Sequence, residues 1–474
     1  MNIFEEFNEN NDFMENPDSD LKDSIEKATN IIKDGQIFSN IEFLEDVLEE
    51  SIESNYIDEG LFIVENLIAI TPYSSEYWNF KGELLSNKLD FIGSLEAFEK
   101  CISLNPNDTE ALLNKSIVED NLGFEDDALK SLKKVLEIEP ENDEALFNLG
   151  LFYERRDDFE NAIYFFELVL QIDESYVDAW YELGFCYESI NNLTKAIESY
   201  DKFLDYEPYS STAHYNKGIA LIRKGDFKLA KDCFELSVAI KEDFSSAWFN
   251  LGVANANLGL LDKAVESLTT ASELDPYDET IWFLLGQTYE DKKDIQNAIR
   301  CFSKAIEIDD QYYEAYLSRG NCYDMIGKYH LALKDFNNAI ELTENSIDAW
   351  KAKAELEYSI GEINNSILSY KKLVDLNPGD SIVWMKLAEA YMEVGDWINS
   401  GNAYEKCIGL KPVNANAYLG KAKVDFLLRR TKEAIDNLQK AFKLDPEIKN
   451  NFAKDYPEVK TSKLFEKLVE GKRD

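Results

Sequence analysis

The 34 residues from 177 to 210 read VDAWYELGFCYESINNLTKAIESYDKFLDYEPYS, and their pattern decides the fold. A first set of apolar and small residues falls on one face of a helix: Trp180, Leu183, Gly184 and Tyr187. After a polar break, a second helical stripe follows: Leu193, Ala196, Ile197, Tyr200, Phe203 and Leu204. Pro208 cannot continue a helix interior. The segment therefore predicts a hairpin of two helices.

The same length recurs along the whole chain. Eight of the ten prolines differ in number only by multiples of 34: Pro72, Pro106, Pro140, Pro208, Pro276, Pro378, Pro412 and Pro446. Six of the seven tryptophans keep the same spacing: Trp78, Trp180, Trp248, Trp282, Trp350 and Trp384. A structural unit of fixed length produces such a pattern. Counted from Ile41, twelve repeats of 34 positions run to Ile448 without insertion or deletion, which predicts an all-α array.

Two repeat positions hold small side chains almost throughout. Position 8 is Gly, Ala or Ser in eleven repeats, with Leu48 as the exception, and position 20 is Gly, Ala or Ser in all twelve. Two helices approach closely only where one of them lacks bulk, so these positions predict the helix crossing in each hairpin. The large residue at position 24, such as Phe166 or Tyr200, fills the space beside that crossing.

The end of the first helix is also marked. Position 15 is glycine in six repeats, which predicts a left-handed residue after the helix: Gly123, Gly225, Gly259, Gly327, Gly361 and Gly395. An aspartate often follows and is expected to cap the second helix, as at Asp158, Asp226 and Asp396.

This pattern closely resembles the tetratricopeptide repeat family, whose 34-residue unit carries W-x2-L-G-x2-Y, then Ala, an aromatic residue and Pro. In residues 177–210 the matching residues are Trp180, Leu183, Gly184, Tyr187, Ala196, Tyr200 and Pro208. The resemblance covers residues 41–448 and implies a right-handed α-solenoid superhelix of helical hairpins. Two departures are local. A basic residue replaces the position-7 leucine at Lys81, Lys115, Lys217, Arg319, Lys353 and Lys421, and His214 stands where tryptophan is expected.

The flanks of the array are expected to behave as caps. Residues 1–19 are acidic and poor in apolar groups, so they are predicted to be a disordered tail. A helical stripe in residues 20–40 predicts an N-terminal capping helix. Residues 449–474 contain an amphipathic stretch and are predicted to form a C-terminal capping helix, although a self-binding tail is the alternative.

The net charge restricts the kinds of partner that the protein can bind. With 92 acidic against 49 basic residues, the net charge of −43 repels phosphate backbones and anionic lipids. Nucleic acid and membrane are therefore not expected as partners, whereas a basic or uncharged protein is.

The N-terminus lacks the features of a signal peptide. The six cysteines fall on only three repeat positions, and cysteines of equal position lie too far apart for a disulfide, which predicts free thiols and a cytoplasmic protein.

The residues that carry chemistry are sparse. The chain has two histidines, no pair of cysteines at zinc-site spacing, and no phosphate-binding or nucleophile motif. We therefore predict a protein that is not an enzyme and that needs no cofactor or metal.

The resemblance implies that the first helix of each repeat lines the concave face of the superhelix, with positions 5, 6 and 9 among those pointing inward. Positions 5 and 9 are both apolar from the third to the seventh repeat: Leu113 with Ile117, Phe147 with Leu151, Tyr181 with Phe185, Tyr215 with Ile219, and Phe249 with Val253. Phe283 extends the position-5 column. Position 6 adds Asn114, Asn148, Asn216 and Asn250, interrupted by Glu182. These residues predict a peptide-binding groove. The asparagine amides either pair with the backbone of a bound peptide or have no such role, because asparagine is the residue that the family most often has at this position.

Three binding functions remain open. The first is a scaffold or adaptor that holds an apolar, basic peptide segment of another protein in the concave groove. The second is a regulatory subunit of a larger complex that binds through its convex face. The third is a chaperone-like holder of exposed apolar segments. The sequence does not define the oligomeric state.

Overall fold

The computed structural model describes residues 17–448 and Phe452, and every element in that part of the chain is helical. The described residues fall into two compact units that divide after Ile240. In each repeat the first helix, here called the A helix, covers positions 1–13 in most cases. The second, the B helix, covers positions 17–30. The predicted all-α architecture of helical hairpins is confirmed.

The N-terminal unit contains thirteen α-helices and one 3-10 helix, Ile37–Ser39, which follows α1. The α-helices are α1 (Pro17–Lys33), α2 (Ile41–Glu53), α3 (Ile57–Ile70), α4 (Ser75–Asn87), α5 (Phe91–Leu104), α6 (Thr109–Asn121), α7 (Glu125–Ile138), α8 (Asp143–Glu154), α9 (Phe159–Ile172), α10 (Val177–Ser189), α11 (Leu193–Tyr206), α12 (Ser211–Lys224) and α13 (Phe227–Ile240).

The C-terminal unit contains twelve helices of the same alternating type. They are α14 (Ser245–Asn257), α15 (Leu261–Leu274), α16 (Glu279–Asp291), α17 (Ile295–Ile308), α18 (Tyr313–Met325), α19 (Tyr329–Leu342), α20 (Ile347–Ser359), α21 (Ile363–Leu376), α22 (Ser381–Glu393), α23 (Trp397–Leu410), α24 (Ala415–Leu427) and α25 (Thr431–Leu444).

The two helices of a hairpin cross where the small residues lie. The hydroxyl of Ser94, at position 20, donates to the carbonyl oxygen of Gly82, at position 8, over 2.6 Å. A Cβ atom added to Gly184 would lie 2.5 Å from the ring of Tyr200, which fills the space at position 24. The position-24 ring therefore occupies the volume that glycine leaves free, and the predicted crossing is confirmed.

All twelve hairpins turn at a left-handed residue at position 15. The six predicted glycines have φ between 73° and 86°. The other six repeats adopt the same backbone with a side chain present, at Asn55, Leu89, Asp157, Asn191, Lys293 and Arg429. The predicted aspartate caps also form: the Oδ1 atom of Asp396, for example, accepts from the backbone N–H of Asn399 over 3.2 Å. The turn is therefore set by the backbone geometry of the hairpin rather than by glycine alone.

The periodic tryptophans and prolines meet in one contact. The indole N–H of every position-4 tryptophan donates to the carbonyl oxygen of position 32 in the preceding repeat, as from Trp78 to Pro72 over 3.1 Å. His214 replaces tryptophan here, and its Nε2 atom lies 3.0 Å from the carbonyl oxygen of Pro208. The histidine therefore takes over the contact that joins consecutive repeats.

The ends of the array differ in part from their predicted bounds. Helix α1 begins at Pro17, three residues before the boundary expected at residue 20, so it includes the last residues of the segment predicted as a tail. Residues 1–16 lie outside the described residues, as does the predicted C-terminal capping helix except for Phe452. The ring centroid of Phe452 lies 5.8 Å from that of Phe442 on α25.

All six cysteines are buried, and burial raises the pKa of their thiols: to about 12 at Cys322 and about 11 at Cys233 and Cys301. The thiolate is the reactive form, so these groups should resist modification in the folded protein. We expect a colourimetric thiol reagent at pH 8 to titrate all six only after denaturant is added. Rapid reaction of any cysteine under native conditions would contradict this placement.

Candidate functional site

Neighbouring A helices of the N-terminal unit contact each other through the residues predicted to line a groove. The Nδ2 atom of Asn114 on α6 donates to Oε1 of Glu83 on α4 over 3.1 Å. The Nδ2 atom of Asn216 on α12 donates to the hydroxyl of Tyr181 on α10 over 2.9 Å. Positions 5, 6 and 9 thus share one surface, which we call the A-helix face.

The position-5 residues form the lower layer of the A-helix face. Leu113 is buried, whereas Phe147, Tyr181 and Tyr215 are half-buried. Each of these rings packs on the position-24 ring of its own hairpin, with centroids 5.4 Å apart for Phe147 and Phe166, 6.0 Å for Tyr181 and Tyr200, and 5.9 Å for Tyr215 and Phe234. One edge of each ring therefore belongs to the core, and only the remainder is open to a partner.

The position-9 residues stand above that layer and are more exposed. Ile117 retains 38% of its accessible surface and Phe185 retains 40%, while Leu151 and Ile219 are half-buried. The ring of Phe185 meets the edge of Phe159 at a centroid distance of 6.2 Å, which fixes one side of it. Position 9 thus supplies the apolar surface that a partner can reach.

In the C-terminal unit the predicted groove residues Phe249, Asn250, Val253 and Phe283 are all half-buried. The ring of Phe283 packs on two other rings, 5.6 Å from Phe302 and 5.0 Å from Tyr312. These positions repeat the lower, partly packed layer of the A-helix face.

The asparagines at position 6 are largely engaged within the protein. Asn114 and Asn216 donate to neighbouring A helices as described above, and the Nδ2 atom of Asn250 donates to the carbonyl oxygen of Ser246 over 2.9 Å. Asn148 is half-buried. At Asn114 and Asn216 the contact with the neighbouring A helix uses one of the two N–H bonds of the amide, so a partner backbone could still meet both an N–H donor and the amide oxygen.

Two carboxyl groups meet where Glu182 interrupts the asparagine series. Glu182 on α10 hydrogen-bonds Glu154 on α8, and burial together with the charge of Glu154 raises the pKa of Glu182 to about 8. Burial likewise raises the pKa of Glu154. The Sγ atom of Cys186 lies 3.8 Å from Oε2 of Glu154. Because two like charges repel in this partly buried site, the pair holds a proton near neutral pH.

A third carboxyl group of this kind lies further along the same face. Burial, with the charge of Glu110, raises the pKa of Glu83 to about 7, although the amide of Asn79 donates to it over 2.8 Å. Sequence reasoning did not single out the Glu154–Glu182 pair. The only signal for the pair was that Glu182 stands in a position otherwise held by asparagine.

The Glu154–Glu182 pair should make the stability of the protein depend on pH. The folded state keeps its proton to about pH 8, whereas the unfolded chain releases it near the ordinary value of 4.5. The unfolded state therefore binds fewer protons across this window, and the free energy of unfolding falls as the pH rises through it. We expect Glu182→Gln to raise that free energy by about 1–2 kcal/mol above pH 8, with little effect at pH 5.

Denaturant titrations at pH 5 and pH 8.5 measure this difference. The exposed Glu96→Gln on α5 removes the same charge without a buried partner and should change stability equally little at both pH values. A Glu182→Gln effect that is the same at both pH values would contradict the shared proton.

The described residues hold no cluster of three or more His, Cys, Asp or Glu side chains placed to bind a metal ion. Among the helices of residues 17–448, none combines the length and the apolar character that crossing a bilayer requires.

Comparison with known structures places the chain beside several helical repeat proteins. The TPR protein YrrB is 24% identical, with 40% of this chain and 97% of that chain covered at a TM-score of 0.37. A tetratricopeptide repeat protein from Parabacteroides merdae is 22% identical, with 50% and 93% covered at 0.38. The Cut9–Hcn1 hetero-tetramer of the APC/C is 12% identical, with 93% and 98% covered at 0.34. No curated protein sequence matches significantly.

Profile models of one family match most of the repeat array. Three models, each described as a tetratricopeptide repeat, match residues 277–352; residues 113–177 and 215–279; and residues 75–108, 177–210 and 382–414. Together they cover more than half of the chain, and the third model matches single repeats of the array to within one residue. The protein therefore belongs to the tetratricopeptide repeat family.

Proposed function

We propose that the protein is a non-catalytic interaction scaffold that binds an extended, apolar and basic segment of another protein on the A-helix face of its N-terminal unit. The observation that carries this proposal is the exposure of the position-9 side chains, 38% at Ile117 and 40% at Phe185, above a layer of half-buried aromatic residues. These side chains recur once per repeat from α6 to α12.

The apolar character of the ligand follows from that surface. Contiguous apolar area exposed to water is unfavourable in a soluble protein and marks a binding surface more often than isolated exposed residues do. The position-5 rings beneath are held by the core, so they present a rigid floor that loses little conformational entropy when a partner binds.

The basic character of the ligand follows from charge. The whole chain carries −43, and the carboxyl groups of Glu83, Glu154 and Glu182 lie on or beside the A-helix face. An arriving lysine or arginine would favour their ionised forms and lower their raised pKa values. The binding of a basic segment should therefore release protons near neutral pH.

A selection of peptides tests the proposal. A displayed library of random twelve-residue peptides is selected on the immobilised protein, and the selected sequences are counted by composition. We expect apolar residues together with Arg or Lys, and binding that persists in 0.5 M salt because apolar contacts are not screened. Selection of acidic or purely polar peptides would contradict the proposal.

A further inference from the structure

A cavity of about 800 Å³ opens in the N-terminal unit between the B helices α9 and α11. Its floor is the A helix α10, which contributes Trp180, Leu183 and Tyr187. We call it the repeat-5 cleft. Its volume lies within the range of sites that enclose ligands or side chains of a partner.

The same cleft recurs at equivalent repeat positions elsewhere. In the C-terminal unit, a cavity of about 540 Å³ is floored by Trp282, Leu285 and Tyr289, and one of about 440 Å³ by Tyr418, Lys421 and Asp425. The cleft between consecutive B helices is therefore a property of the repeat, and the residues at positions 4, 7 and 11 decide what it can hold.

Half of the repeats depart from the family pattern at position 7, where a basic residue replaces leucine. In those repeats the basic side chain is at least three-quarters buried, and Lys421 lines the cleft of repeat 12. Lys81 pairs with Glu65 over 2.9 Å, and Lys217 pairs with Asp201. Both acids stand at position 25 of the preceding repeat. The protein thus contains its own examples of a basic side chain bound in this cleft.

The repeat-5 cleft keeps the acids but has no basic residue at position 7. Its position-7 residue is Leu183, and the position-25 acid of the preceding repeat is Glu167. Five carboxylates line the cleft against two lysines: Glu167, Glu174, Glu198, Asp201 and Asp205 against Lys195 and Lys202. Glu167 pairs with Lys195 over 3.5 Å, Glu174 pairs with Lys202 over 3.4 Å, and Asp201 pairs with Lys217 of the next repeat. Glu198 and Asp205 form no ion pair within residues 17–448. The rim therefore carries unbalanced negative charge.

We propose that the repeat-5 cleft binds an arginine side chain presented by an apolar–basic segment of a partner protein. The guanidinium would pair with Glu198 and Asp205, and its stem would lie along Trp180 and Leu170. The indole already attracts a cation, since the Nζ atom of Lys202 lies 5.8 Å from its centroid. Arginine suits the site because its planar group both stacks on an aromatic face and pairs with carboxylates.

The equivalent cleft of repeat 8 supplies the matched comparison. It has the same floor of tryptophan, leucine and tyrosine, but its charged lining residues are Glu273, Arg300 and Lys304. A basic ligand would meet net positive charge there. The two clefts therefore share a shape and differ in charge, and it is the negative charge of the repeat-5 cleft that would select a basic ligand.

The test uses a fluorescent hexapeptide of alternating arginine and leucine, and every variant is made in a protein that also carries Ile117→Gln, Phe185→Gln and Ile219→Gln, so that the A-helix face does not contribute to the binding measured. Leu183→Lys should fill the cleft as Lys81 and Lys217 fill theirs, and should weaken binding at least tenfold. Leu285→Lys adds the same charge in repeat 8 and should weaken binding less than twofold. Lysine occurs naturally at this repeat position, so both variants should fold, which circular dichroism checks.

A second measurement locates the peptide directly. A diazirine group on one leucine of the hexapeptide should crosslink to residues 167–174 and 195–205, and these crosslinks should disappear in Leu183→Lys. Glu198→Gln with Asp205→Asn should weaken binding more than Glu96→Gln with Glu99→Gln, which removes two exposed charges from α5. Unchanged binding by Leu183→Lys, equal weakening by both lysine variants, or crosslinks confined to other surfaces would overturn the proposal.

Discussion

Replacing Ile117, Phe185 and Ile219 by glutamine should reduce the affinity for selected apolar–basic peptides about a hundredfold or more. Ile117 and Phe185 project from the A-helix face with 38% and 40% of their surface exposed, and Ile219 is half-buried. Each substitution should remove about 1 kcal/mol of apolar contact with the partner. Because the position-5 rings are untouched, helical content and the melting temperature should stay close to those of the parent protein. Fluorescence anisotropy with a labelled selected peptide measures the loss.

The matched control replaces three exposed apolar residues on B helices of the same unit. Tyr164 on α9 and Leu229 and Leu236 on α13 are exposed to 55%, 50% and 50%. Their replacement by glutamine should change the affinity less than twofold. Full peptide binding by the A-helix-face variant, or an equal loss in the control, would show that the A-helix face is not the binding surface.

Substitution of Gly150 by leucine should lower the free energy of unfolding by about 1–3 kcal/mol. A Cβ atom at this position would lie 2.4 Å from the ring of Phe166, a fully buried residue at the hairpin crossing. Either the ring or the helix must move, and both are held by close packing. In a repeat array each repeat is held mainly by its neighbours, so the damage should remain local. Denaturant titration gives the size of the effect, and hydrogen exchange should show it in α8 and α9.

Gly409 provides the control because it also lies within a helix, α23, but apart from its chain neighbours and the backbone of its own helix no heavy atom lies within 4 Å of its added Cβ. Gly409→Leu should therefore stabilise the protein by about 0.5–1 kcal/mol, since leucine favours a helix more than glycine does. Equal effects at the two positions would show that helix propensity, and not crowding at the crossing, determines the result.

The repeat period made most of the fold predictable. Small residues at positions 8 and 20 predicted the crossings, and glycine at position 15 predicted the turns. These features depend on contacts within one hairpin, which a periodic sequence repeats often enough to reveal. The hydrogen bonds between consecutive repeats were harder to predict. Tryptophan and proline kept the same spacing in the sequence, but only the structure shows that the indole donates to the position-32 carbonyl.

The binding surfaces were predictable only in part. The sequence identified positions 5 and 9, but it could not separate the packed edge of Tyr181 from the exposed ring of Phe185, because that difference depends on where Tyr200 and Phe159 lie. It recorded the basic residues at position 7 as departures without a cause. Their partners lie sixteen residues away, as Lys81 with Glu65 and Arg319 with Asp335, or four residues later, as Lys115 with Glu119. The pairs four residues apart follow from the geometry of a single helix, whereas the pairs sixteen residues apart join two helices and are decided by tertiary packing.

The left-handed turns have a consequence for engineering the protein. Leu89, Lys293 and Arg429 hold a backbone conformation that costs an L-residue about 1–2 kcal/mol, although other repeats use glycine in the same place. Glycine at these three sites would relieve strain repeat by repeat and leave both proposed binding surfaces unchanged. The hairpin turns thus offer a reserve of stability that can be adjusted independently of recognition, so that destabilising changes on a binding face can be compensated elsewhere in the chain.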